Sequence, residues 1–144
     1  MIPHLLDSLP KALDPLQQQA SQRWRSALQE AGLNDSSLGA QSLQQIQHVF
    51  TLSEFALTQA CRDPQGFLQL LADGSLERPH NAADMRSALQ QQVKACTTED
   101  ELQTVLRRFR NRQQLRIIWR DLTRQADLDE TTRELSDLAD ACIS

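Results

Sequence analysis

The apolar positions of this chain recur at intervals of three and four and nowhere alternate singly, which predicts helices throughout and no strand. Leu16, Ala20, Trp24, Ala27, Leu28 and Ala31 mark the first helix, with Asp14-Pro15 as a cap-plus-proline start and Gly32 as its stop. After a polar loop at 34–37, the pattern resumes through Leu43, Ile46, Val49, Phe50, Phe55 and Ala60, up to Cys61. Thr51 and Ser53 predict a bend or a break within that stretch. Asp63-Pro64 repeats the start signal, Phe67, Leu68 and Leu71 supply one face, and Gly74 ends the element. Residues 74–81, with Pro79, read as a long loop, and Met85, Leu89 and Val93 predict a helix over about 82–96.

Thr98 and Glu101 then match a capping box, in which the hydroxyl accepts an amide of the first turn while the carboxylate reaches back. They open a long helix predicted to run to about Gln125. Between Arg107 and Arg124 it holds seven of the fifteen basic residues of the chain. Arg108, Arg112, Arg116, Arg120 and Arg124 recur every fourth residue, so on a helix they form a slowly precessing ridge. Leu106, Phe109, Ile117 and Trp119 are interleaved with them. Ile117, Ile118 and Trp119 cover nearly a full turn, which predicts a helix enclosed on more than one side. A last helix begins in the acidic run 127–130, favourable at the positive end of a helix dipole, and carries Leu135, Leu138, Ala139 and Cys142. The expectation is an all-α bundle of about six helices forming a single domain over 1–144.

Composition narrows the function classes. A length of 144 residues suits one domain with a real core. The chain is 40% hydrophobic, only 4% aromatic, and has a formal net charge of −4, which works against general nucleic-acid affinity. No apolar run approaches a membrane span, and the start at 1–6 lacks the basic segment and cleavage site of a signal peptide, so the expected location is cytoplasmic. The final helix reaches Ser144 with no stop signal, and on that feature the chain reads as a piece of a longer protein. Cys61, Cys96 and Cys142 are an odd, widely spaced set near apolar positions and read as small hydrophobes.

Catalytic chemistry is sparse. There is no glycine-rich phosphate loop and no HExxH. Asp127 and Asp129 belong to the acidic start of the last helix, and residues 99–101 to that of the arginine helix. His4, His48 and His80 fall in three separate segments with no i, i+4 pair to suggest a metal. No catalytic, cofactor or metal residue is assigned. The arginine ridge admits two readings. In one it is a solvated face paired with carboxylates such as Asp121, Glu130 or Glu134, each pair contributing about 0–1 kcal/mol. In the other it is an interface, because the planar guanidinium fork binds carboxylates and phosphates at two points.

At these residues the sequence resembles a known family. Residues 106–112, 115–122 and 135–143, with the earlier segments 49–55 and 63–68, are similar to the N-terminal region of glutamine synthetase adenylyltransferase. The resemblance implies a parent enzyme with two nucleotidyltransferase-like halves. One removes AMP from a tyrosine of glutamine synthetase by phosphorolysis; the other attaches AMP from ATP. The PII signal protein and glutamine would set the balance. Each half would use a glycine-rich turn followed by paired aspartates that bind Mg. No such turn is present here, so no catalytic residue is carried over.

The expected role is therefore a helical lead-in to a nucleotidyltransferase core absent from this chain, inactive alone and without cofactor. Arg112, Arg116, Trp119 and Arg120 are the expected contact with the core, glutamine synthetase or PII. That reading expects an exposed apolar strip near Ile118 or Leu138. The alternative is a free-standing interaction domain whose basic ridge binds an acidic partner and which exposes no large apolar patch. RNA binding through the arginine helix is the least favoured reading, given the acidic remainder.

Overall fold

The computed structural model describes residues 9–143; the opening segment with His4, and Ser144, lie outside them. A 3-10 turn at Lys11–Leu13 leads into α1 (Asp14–Glu30), followed by α2 (Ala40–Leu52), α3 (Glu54–Arg62) and α4 (Pro64–Ala72). A second 3-10 turn, Ser75–Glu77, precedes α5 (Ala82–Lys94), α6 (Glu99–Leu122) and α7 (Leu128–Ile143). No strand occurs among the described residues, and the all-α expectation holds. The described residues form seven α-helices rather than about six because Ser53 divides the second predicted stretch. Its backbone is extended, at φ −132° and ψ 104°, and its hydroxyl accepts the Ala56 amide at 3.1 Å, ending α2 and capping α3.

The other boundaries follow from local chemistry. Asp63 caps α4 by accepting the Gly66 amide at 3.1 Å, with Pro64 opening the helix. Thr98 caps α6 as expected, but the Glu101 carboxylate reaches past it to the Thr97 amide at 2.8 Å. A full capping box occurs instead at α5, where Asn81 and Asp84 satisfy each other's amides at 2.8 and 3.2 Å. Asp14 does not cap α1: the preceding 3-10 turn runs straight into it, so Asp14 already has helical dihedrals, φ −52° and ψ −43°. α6 stops at Leu122, short of Gln125, where Arg124 takes a left-handed φ of 62°.

Two apolar cores lie on opposite sides of α6. On one side α1 to α4 surround Trp24, Phe50 and Phe67, whose ring centroids are all 5.3 Å apart; Trp119 joins them from α6, 5.8 Å from Phe67. Leu115 completes that face. On the other side Phe109 and Ile117 pack with Met85 and Leu89 of α5 and with Leu138 and Ala141 of α7. One helix thus forms the wall between both cores, which is why its apolar residues point in more than one direction. The enclosure predicted from Ile117, Ile118 and Trp119 is what the structure shows.

The face of α7 is turned from the one expected. Leu138 and Ala141 are buried, whereas Leu135 is 45% exposed and Glu134 is inside, at 4%. The apolar strip expected near Ile118 or Leu138 is not there: Leu138 is buried and Ile118 half-buried. Among the described residues, the large apolar side chains that do face solvent are Leu16, Leu43, Leu52, Leu128 and Leu135.

Candidate interaction surface on the arginine helix

The arginine ridge divides along its length. Four residues of an α-helix turn through 400°, so each step of the ridge rotates by roughly 40° about the axis. Arg108 and Arg112 are on the outside; two steps later Arg116 and Arg120 have rotated into the interior, 3% and 6% exposed. Arg124 falls beyond the helix.

Inside, the guanidinium groups meet carboxylates of α7 and carbonyls of the loop before α5. Arg116 donates through Nη1 to Glu134 Oε1 at 2.7 Å and to the Arg78 carbonyl at 2.9 Å. Its Nε donates to Gln113 Oε1 at 3.0 Å. Arg120 Nη1 lies 2.6 Å from Glu130 Oε1 and 3.4 Å from Glu134 Oε2, while its Nε donates to the Glu77 carbonyl at 3.1 Å. The His80 amide donates to Glu134 Oε1 at 2.9 Å, and His80 Nδ1 is 3.2 Å from Gln113 Oε1. Two cations and two carboxylates therefore tie α6, α7 and the 77–80 loop into one network. Burial pulls the Arg116 pKa down while Glu134 raises it again. Burial also holds the His80 imidazole below its ordinary value, and the Arg116 charge adds to that.

Three of the four expected contact residues lie inside this chain. Arg116, Trp119 and Arg120 do not form an outer surface of this chain; Trp119 is 0% exposed. The reason is that α7 offers Glu134 and Glu130 at the depth to which the ridge has rotated, while the aromatic cluster takes Trp119. Of the four, Arg112 alone is exposed. The pairing with Glu130 and Glu134 weighed from the sequence is present; Asp121 instead accepts from the Thr131 hydroxyl at 3.1 Å. His80 and Gln113 were not singled out as network members. Both are common polar residues, and only the fold brings positions 80, 113 and 134 together.

The remaining candidates carry little chemistry. His48 is half-buried on α2 and His80 sits in the loop before α5. Cys61, Cys96 and Cys142 are free and half-buried, and burial pushes the thiols of Cys61 and Cys142 up, away from the reactive thiolate. Asp127 caps α7 by accepting the Glu130 amide at 2.8 Å. Among the described residues no three His, Cys, Asp or Glu side chains gather as a metal site requires, and no helix is long and apolar enough to cross a membrane.

Outside, Arg107, Arg108 and Arg112 line a groove between α6 and the junction of α3 with α4, where Arg62 and Asp63 stand opposite. Its volume is about 620 Å³, and Phe67 and Leu115 lie at its base.

The chain is 46% identical over 144 residues to a bifunctional glutamine synthetase adenylyltransferase/adenylyl-removing enzyme of Pseudomonas aeruginosa, a match covering 96% of this chain and 14% of that protein. The likeness to the Pseudomonas putida enzyme of the same description is 47% over 142 residues, with the same coverage, 96% and 14%. For the Shewanella oneidensis enzyme it is 37% over 136 residues, 92% and 14%. The chain thus spans about a seventh of the length of these curated relatives. No solved structure matches it. The family model described as glutamate-ammonia ligase adenylyltransferase matches residues 43–144, from α2 through α7. This chain therefore belongs to the glutamate-ammonia ligase adenylyltransferase family.

Proposed function

We propose that the chain serves as the N-terminal helical scaffold of a bifunctional enzyme that attaches AMP to glutamine synthetase and removes it. The observation that supports this is the extent of the match: 96% of this chain aligns with 14% of relatives that bear that description. The chemistry belongs to a nucleotidyltransferase core outside this segment. The ATP and Mg implied for such an enzyme are assigned to that core. What this segment contributes is a rigid platform. The buried Arg116–Glu134–Arg120 network locks α6 to α7, and α6 then presents its outer arginines, Arg112 among them, to the adjacent core, to glutamine synthetase or to PII. The setting is the cytoplasm.

The test compares the isolated chain with a full-length family enzyme that contains it. The isolated chain should leave adenylylated glutamine synthetase unchanged in phosphate, and unmodified glutamine synthetase unchanged in ATP and Mg. The full-length enzyme should catalyse both reactions, and deleting 43–144 from it should abolish or cripple adenylyl removal. Equal activity with and without the segment would overturn the scaffold role, and turnover by the isolated chain would overturn the placement of the chemistry elsewhere.

A further inference from the structure

We infer that the groove between α6 and the α3–α4 junction is a docking site for an acidic segment of a protein partner. The inference concerns the surface of this chain and stands apart from the enzymatic reading. Four arginines line the groove, Arg62 from α3 and Arg107, Arg108 and Arg112 from α6, and all four are exposed. They form none of the ion pairs seen among the described residues. The acid at the rim, Asp63, already accepts the Gly66 amide as the cap of α4. Hydrogen bonds with Ser75 are the main cause of the lowered pKa of the Asp73 carboxyl, with Arg78 and then Arg112 contributing less. The concentration of cations is set against a chain whose formal net charge is −4. A local basic concavity on an acidic protein selects a short anion rather than a long one, since flanking surface repels the rest of an extended polyanion.

Every cation lining the groove is arginine, whose planar fork engages carboxylates and phosphates bidentately. Two further observations favour carboxylates on a peptide over nucleotides. Leu70, half-buried, is the apolar side chain within reach in the groove, over buried Phe67 and Leu115, and suits an apolar side chain between acidic ones. No aromatic ring is open for base stacking: Trp24, Phe50, Phe67, Phe109 and Trp119 are buried and Phe55 is half-buried. The rotation of the ridge explains why the surface exists. The same repeat that sends Arg116 and Arg120 inward leaves Arg108 and Arg112 facing the α3–α4 corner.

The experiment is fluorescence anisotropy with the whole 144-residue chain and a fluorescein-labelled octaglutamate peptide, over a salt series. The comparison uses two charge-matched triple variants. One is Arg62→Glu, Arg108→Glu and Arg112→Glu in the groove. The other is Arg25→Glu, Arg86→Glu and Arg133→Glu at exposed sites on α1, α5 and α7. All six sites are exposed, and circular dichroism checks that both variants fold. The groove variant should bind at least about tenfold more weakly, a loss of about 1.4 kcal/mol, while the scattered variant stays within about twofold. No binding by the unaltered chain, or equal losses in both variants, would overturn the inference. So would a labelled octathymidylate that binds more tightly than the peptide through the same arginines, which would make the groove a phosphate site. None of these readouts involves adenylylation, so this inference and the scaffold role can fail separately.

Discussion

Arg116 donates to Glu134 across 2.7 Å with both side chains withdrawn from solvent, 3% and 5% exposed. A pair this deep is not a surface ornament. Removing one partner leaves the other charged and buried, which costs about 3–5 kcal/mol, whereas replacing both by apolar groups of similar size is often near neutral. Glu134→Gln should therefore lower stability by about 3–5 kcal/mol in urea unfolding at pH 7. Arg116→Met with Glu134→Leu should recover most of that loss. Equal losses in the single and double variants would show that the pair is not energetically coupled.

The ridge should show a step in cost along its length. Arg108→Ala and Arg112→Ala remove exposed side chains and should change stability by no more than about 0.5 kcal/mol. Arg116→Ala and Arg120→Ala each remove one of the two guanidinium partners of buried Glu134 and should each cost about 1.5–3 kcal/mol. Thermal denaturation of the four variants measures it; a smooth gradient instead of a step would contradict the rotation of the ridge into the interior.

Acid should weaken the fold through His80. Its imidazole faces Arg116, Gln113, Asp84 and Glu134, and burial, its largest influence, depresses its pKa. An unfolded histidine takes up a proton near pH 6.5, while the folded one resists until lower pH. Stability associated with His80 is therefore complete above about pH 6.5 and is lost as the pH falls toward the depressed folded value. His80→Gln should flatten the slope of unfolding free energy below about pH 6.5. An unchanged slope would assign that acid sensitivity to other groups.

Gly66 and Asp63 make a further pair whose coupling has a definite sign. A Cβ at Gly66 would overlap the Asp63 carboxylate that caps α4. Alanine in a helix ordinarily gains about 1 kcal/mol over glycine, but here it displaces a cap of similar worth. Gly66→Ala alone should be neutral or destabilising by up to about 1 kcal/mol, and stabilising by about that amount when Asp63→Ala is already present. A double-mutant cycle by chemical denaturation gives the answer, and additivity would contradict it.

Trp119 joins α6 to the aromatic cluster of Trp24, Phe50 and Phe67. Trp119→Ala should cost about 3–5 kcal/mol from lost burial and the cavity left behind. Amide exchange should rise first in α1 to α4, the elements that Trp119 packs against, while α5 and α7 keep their protection. Uniform loss of protection would show that the two cores unfold as one unit.

Helix periodicity, the Asp63-Pro64 and Thr98 starts and the Gly32 stop were legible in the residues alone because each depends on neighbours three or four positions away. So was the enclosure of α6, since three bulky residues in one turn cannot share a face. The family resemblance, too, lay in the segments around the arginine helix. What local pattern could not decide was direction. A repeat of four on a 3.6-residue helix rotates steadily, and whether its fourth member meets water or a carboxylate depends on what another helix places there. Glu134, an ordinary surface residue by composition, turned inward because two arginines arrived at its depth, and it carried the face of α7 with it. The four-residue spacing of the arginines was written in the chain; which of them remained free to meet a partner was settled only by the packing of α7 and the 77–80 loop against α6.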